Sequence, residues 1–165
     1  MSSMLNQKSL FSFDHTIYWP KKYESVVAYL HNGTGDKPNH QSLYKSNVEV
    51  IVLAACIGLN NKNPVDVPPP PERNEINLFT FNSHSLSIYL YLIPLLAQDQ
   101  ISIDFFRNKD GEDRAISIFQ QYAAGGLEIL NERLASRGMD SPYLFTSDLL
   151  INNDDNVRDL QIDIF

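Results

Sequence analysis

The side chains that could act as a base are His15, His31, His40 and His84, and the chain carries a single thiol, Cys56. A nucleophilic Ser, Thr or Cys needs such an imidazole within hydrogen-bond reach, with an acid to orient it. None of the four histidines stands in a context that announces this: the sequence has no G-x-S-x-G, no H-E-x-x-H, and no His or Cys pair at metal-ligand spacing. Gly33-Thr34-Gly35 is too short for a phosphate cradle, because neither Gly-Lys-Ser/Thr nor a third glycine follows. Asp99, Asp104 and Asp110 could be drawn as nuclease carboxylates on Mg²⁺, but the lysine-bearing strand of such a site is missing, and acids flanking helix ends usually serve as caps. Cys56 lies among Val, Ala and Ile residues and reads as a small buried hydrophobe with a raised pKa. No catalytic residue, metal ligand or cofactor is assigned on this basis.

The elements that must position these residues are mainly helical. Pro20 suits a first helical turn, where its missing N–H is harmless, and Tyr23, Val26, Val27 and Leu30 then share one face until Gly33. Residues Asn32 to Asn39 (NGTGDKPN) form a turn-rich loop. A second helix starts at Ser46, where Ser46 and Glu49 spell an S-x-x-E capping box, and Gly58 supplies a stop. Pro64 and the run Pro68 to Pro71 make residues 60–75 an extended polyproline linker.

From Ser83 to Gln98 the apolar residues cover most of a helix surface, and Pro94 is a candidate break; the β-branched and aromatic content of Leu86 to Leu92 keeps a strand open there. The clearest pattern runs from Glu112 to Arg137. Ile116, Phe119, Tyr122, Ala123, Leu127, Leu130 and Leu134 recur by three and four, between acids at the start and Arg133, Arg137 and Gly138 at the end. Within it, Gly125-Gly126 costs roughly 1 kcal/mol per glycine relative to alanine. Ala123, Ala124, Gly125 and Gly126 form a small-residue patch that suits a close internal helix crossing, a partner's surface, or a bend; flanked by Tyr122 and Leu127, it also makes self-association credible.

The chain has 165 residues, 43% apolar and 20% charged, which is the composition of one globular domain able to close a core without disulfides or a structural metal. A lone thiol points to a reducing compartment, and the N-terminus has no leader pattern, so a cytoplasmic location is expected. Leu86 to Ala97 falls short of the ~20 apolar residues that span a bilayer. The net charge of −7 argues against a broad nucleic-acid or anionic-membrane surface. It is unevenly spread: residues 1–62 hold six lysines against four acids, and residues 63–165 hold seven basic residues against sixteen acids. A local basic patch around Lys21, Lys22 and Lys45 therefore stays open. Residues 140–165 read as a solvated acidic tail.

The segment Ile118-Phe119-Gln120-Gln121-Tyr122-Ala123-Ala124-Gly125-Gly126-Leu127-Glu128-Ile129-Leu130 resembles the hallmark helix of the DNA phosphorothioation-associated protein 4 family, encoded beside bacterial DNA phosphorothioation (dnd) genes. Ile17 to Glu24 (IYWPKKYE) resembles the family's R-x-P-x-x-Y start, though it is less basic before Pro20, and Val48 to Leu59 resembles its second helix. The resemblance spans about residues 17–137. It implies an accessory role in a restriction or antiphage defence system that recognises sulphur-modified DNA, with other proteins of that system as partners and no enzymatic chemistry to carry onto named residues. The layout also looks loosely like the helical DndE-type component, which binds DNA as an oligomer; that likeness would make Lys21, Lys22 and Lys45 phosphate contacts.

The expected architecture is mostly α, or α+β. It is a single-domain helical bundle around one long C-terminal helix, with a short strand pair at Ile76 to Phe81 and Ile101 to Phe105. Residues 1–16 would be an N-terminal extension, 17–140 the helical core domain and 141–165 the acidic tail. Function is read first as a non-enzymatic accessory subunit acting through protein contacts, next as a DNA-binding module, and last as a metal-dependent nuclease.

Overall fold

The computed structural model describes residues 11–32, 44–98 and 106–137. Strand β1 (Thr16–Pro20) leads through a 3₁₀ turn at Lys21–Tyr23 into α1 (Glu24–Asn32); then come α2 (Asn47–Asn60), β2 (Arg73–Asn77), α3 (Leu78–Ser83), α4 (Tyr89–Ala97) and α5 (Lys109–Arg137). The fold is mostly α with a two-stranded antiparallel ribbon. At 1.5 Å per residue α5 is about 43 Å long, and α2 packs along it in the most extensive contact among the described elements. Ile17, Leu30, Ile51, Phe81, Leu90 and Phe119 are fully buried between the ribbon and the helices. The Phe81 and Phe119 rings meet edge to face at 5.8 Å.

The strand pair differs from expectation. β2 pairs with Thr16–Pro20, in a register that puts Ile17 opposite Ile76 and Trp19 opposite Asn74. Ile101 to Phe105 lies outside the described residues, and Leu78 to Phe81 is helical. The reason is local: the Asn77 side chain accepts from the Thr80 amide (3.0 Å) and so caps a helix in the middle of the expected strand. The proline linker is likewise shorter than expected, since Arg73 to Glu75 belong to β2. Within residues 11–15, Phe11 and His15 are buried while Ser12, Phe13 and Asp14 are exposed, and Phe11 stacks on Tyr91 at 4.3 Å.

Gly58 does not stop α2. The helix continues to Asn60, and Lys62 reverses the chain at φ 51. The Lys62 amide donates to the Leu59 carbonyl and the Asn63 amide to that of Gly58, both at 3.0 Å, which is a Schellman cap built without glycine. At the other end Ser46 Oγ accepts from the Glu49 amide (3.4 Å), while Glu49 Oε2 accepts from the amide of Lys45 (2.7 Å), one residue before the box partner.

The expected helix from Ser83 to Gln98 is shorter, because α3 ends at Ser83 and α4 spans Tyr89–Ala97. Ser85, at φ 58, separates α3 from α4, and α4 runs through Pro94 without ending there. The strand alternative for Leu86 to Leu92 is not adopted, because α4 covers Tyr89 onward.

Candidate functional site

The Ala-Gly patch of α5 faces inward. A Cβ on Gly126 would overlap the Ala54 carbonyl of α2, one on Gly58 would overlap the Tyr122 carbonyl of α5, and one on Gly125 would overlap the Asn63 carbonyl. Asn63 Nδ2 also donates to the Gly125 carbonyl at 3.2 Å. Glycine is needed here because two backbones approach more closely than any side chain allows. Ala123, Gly125, Gly126 and Leu127 are buried in this crossing, with Tyr122 half-buried.

At the start of α5 the tertiary structure builds a polar cluster. Glu112 is fully buried; its carboxylate accepts from the amides of Ser12 (2.8 Å) and Phe13 (3.2 Å) and from His15 Nε2 (2.7 Å). His15 Nδ1 lies 3.3 Å from Asp113 Oδ1. Carboxylates therefore stand against both ring nitrogens. The group pins the N-terminal segment onto α5. Burial, with the Glu112 charge second, pushes the nearby Tyr91 phenol well above the usual tyrosine range.

His31 sits apart, 3.2 Å through Nδ1 from the Tyr44 carbonyl, and His84 is exposed at the end of α3. His40, Gly33 to Gly35, Asp99, Asp104 and the tail after Arg137 lie outside the described residues. Cys56 is half-buried and its thiol is pushed up by burial, which keeps it in the unreactive protonated form near neutral pH. No group of three or more His, Cys, Asp or Glu able to hold a metal occurs among the described residues.

The open polar surface lies along the ribbon. A cleft of about 520 Å³ is lined by Thr16, His31, Lys45, Asn47, Glu75 and Thr80 among others, and a second of about 440 Å³ by Tyr18, Glu24, Asn47, Arg73 and Asn74. Both are bounded by β2 and by the first turn of α2, since Asn47, Glu75 and Ile76 line each. A third, of about 330 Å³, lies between Tyr18, Arg73, Asp66 and Gln121. The Arg73 guanidinium sits 3.7 Å over the Tyr18 ring and separates these last two clefts.

The three lysines singled out in the sequence do not converge. Lys21 and Lys22 are exposed on the 3₁₀ turn beyond Pro20, whereas Lys45 lines the cleft beside Asn77 at the other end of β2. A five-residue strand separates them, about 17 Å at 3.3 Å per residue. Lys22 Nζ lies 4.8 Å from the Tyr23 ring centroid; hydrogen bonding to Tyr23 is the main cause of its raised pKa, aided by Tyr23 and Glu128 charge. Glu24, Glu49 and Glu75 interleave with the lysines along this side. Sequence reasoning missed Arg73, Glu75 and the His15–Glu112 pair, because each acquires its role from a partner more than fifty residues away.

These features define a mostly helical protein in which a long helix and its crossing partner pack with a two-stranded ribbon whose β1 is largely buried and whose β2 is polar and partly exposed. Residues 17–161 match the family described as DNA sulphur modification system-associated protein 4, and the chain belongs to that family. No curated protein and no solved structure matches it. Among the described residues no helix is long and apolar enough to cross a membrane.

Proposed function

We propose that the protein is a non-enzymatic accessory subunit of a DNA sulphur modification system and its linked restriction or antiphage response, and that it works in the cytoplasm by contact with the system's other proteins. The observation that carries this reading is the family membership, whose description ties the chain to such a system over residues 17–161. The site geometry is compatible with it. His15 meets acids in a structural pin that holds the N-terminal segment on α5.

The test is a deletion strain and a tagged chain in the native host. Deletion should impair sulphur-dependent restriction of phage, and the tagged chain should co-purify with named proteins of the system. Unchanged phage plating together with elution of the chain alone would refute the reading. The DNA-binding alternative stands second, because the lysines are dispersed and interleaved with acids. It requires a duplex affinity that falls with salt and that Lys21→Glu with Lys22→Glu weakens.

A further inference from the structure

The surroundings of His15 hold more acceptors than a neutral ring can serve. Glu112 is fully buried, and its carboxylate already accepts from the Ser12 and Phe13 amides. Among the described residues its ion-pair partner is His15, 2.7 Å away through Nε2, and Asp113 stands 3.3 Å from the other ring nitrogen, Nδ1. An ionised carboxylate only accepts, and a neutral imidazole has one N–H to give. Two carboxylates against one ring therefore call for one proton more than a neutral imidazole and two ionised acids carry together.

That proton can sit in two places with the same count. On the ring it makes an imidazolium that faces Glu112 and Asp113 with a donor each; on Glu112 it makes a carboxyl group that donates to Nε2 while Nδ1–H faces Asp113. Either form removes the uncompensated charge that an ionised, buried Glu112 beside a neutral ring would leave. Asp113, with 54% of its side chain exposed, is the weaker partner. Tyr91 of α4 also faces Glu112, but burial and the Glu112 charge keep its phenol protonated through the neutral range. Asp14, next to His15 in the chain, is exposed.

We propose that the pin is a proton-dependent latch: the proton shared by His15 and Glu112 holds residues 11–15 on α5, and its loss as pH rises frees that segment and uncovers the Tyr91 ring on which Phe11 stacks. The sign follows from the count. A released segment and Glu112 together carry that one proton between about pH 4.3 and 6.5 and lose it above, whereas the latched pair keeps it. The latch is therefore fully stabilising up to about pH 6.5 and weakens as pH rises through the titration of the latched pair. The α2–α5 crossing does not share this dependence, since it is built from apolar side chains and close backbone contacts.

The test follows hydrogen exchange at the Ser12 and Phe13 amides of the full chain from pH 5 to 9, corrected for intrinsic exchange, alongside the ring signals of His15. Protection at both amides should fall at least tenfold across that range, with the midpoint of the ring titration, while buried Leu127 in the α2–α5 crossing keeps its protection. His15→Gln retains a donor for Glu112 but has no proton to lose, so its Ser12 and Phe13 protection should stay level with pH. Asp113→Asn, a change at an exposed side chain, should move the midpoint to lower pH. Level protection in the wild type, or a ring that does not titrate between pH 5 and 9, overturns the latch. So does a fall that persists in His15→Gln, one that Leu127 shares, or a midpoint that Asp113→Asn leaves in place.

Discussion

Replacing Gly126 by alanine sets two known effects against each other. In an exposed helix the change stabilises by about 1 kcal/mol, because glycine has the greater freedom to lose. Here the new Cβ would overlap the carbonyl oxygen of Ala54 and crowd its carbonyl carbon and Cα, which are main-chain atoms with no rotamer to escape into. Relief requires α2 and α5 to separate, and α5 is buried along this contact from Ala123 to Leu127. Overpacking costs about 1–3 kcal/mol, and a backbone collision belongs at the upper end. The net expectation is destabilisation by about 2 kcal/mol. With a urea m-value of about 2 kcal/mol per molar, the midpoint falls by about 1 M. Gly58→Ala, which strikes the same crossing through the Tyr122 carbonyl, should cost a similar amount. The double variant should cost about 1 kcal/mol less than the sum, because one separation of the helices relieves both. Urea unfolding of the four proteins is the assay. A midpoint that rises for Gly126→Ala, or strict additivity of the pair, would refute the argument that the glycines exist for close approach.

Two further predictions concern the N-terminal pin. Glu112→Ala leaves two amides and His15 without their buried acceptor and should cost about 3 kcal/mol; it should also speed proteolysis between Phe11 and His15, and a loss under about 1 kcal/mol would mean that the carboxylate does not hold the segment. Tyr91 has its folded pKa raised above the unfolded value of about 10, so its stabilising contribution is complete below pH ~10 and is lost as pH climbs beyond it. Stability should therefore drop between pH 9 and 11 and drop less in Tyr91→Phe, as read from unfolding midpoints at the two pH values.

The long helix was legible because its apolar residues repeat by three and four over nineteen positions, from Ile116 to Leu134, and only a helix gathers such residues on one face. The start of α2 was legible for a similar reason: Ser46 and Glu49 act on amides within four residues. Gly58 was misread as a stop because a glycine's local meaning, chain freedom, is the same whether it ends a helix or admits a neighbour. Here Gly126, sixty-eight positions later, decides the matter. Asn77 and Thr80 carried a cap signal that would have divided Ile76 to Phe81 correctly.

The candidate site was less legible than the fold. Lys45 could be found from composition, but Arg73 and Glu75 reach the clefts through the pairing of β2 with residues 16–20. Glu112 shows the same division. By position it is one of the acids that open the helix, yet the fold buries it under Ser12, Phe13 and His15. The sequence by itself determined a mostly helical acidic chain, its main helix and its family, since these depend on periodicity and on motifs read within a few residues. The partner strand of β2 and the burial of Glu112 came from the fold alone, because each depends on contacts between segments that the chain's order keeps far apart.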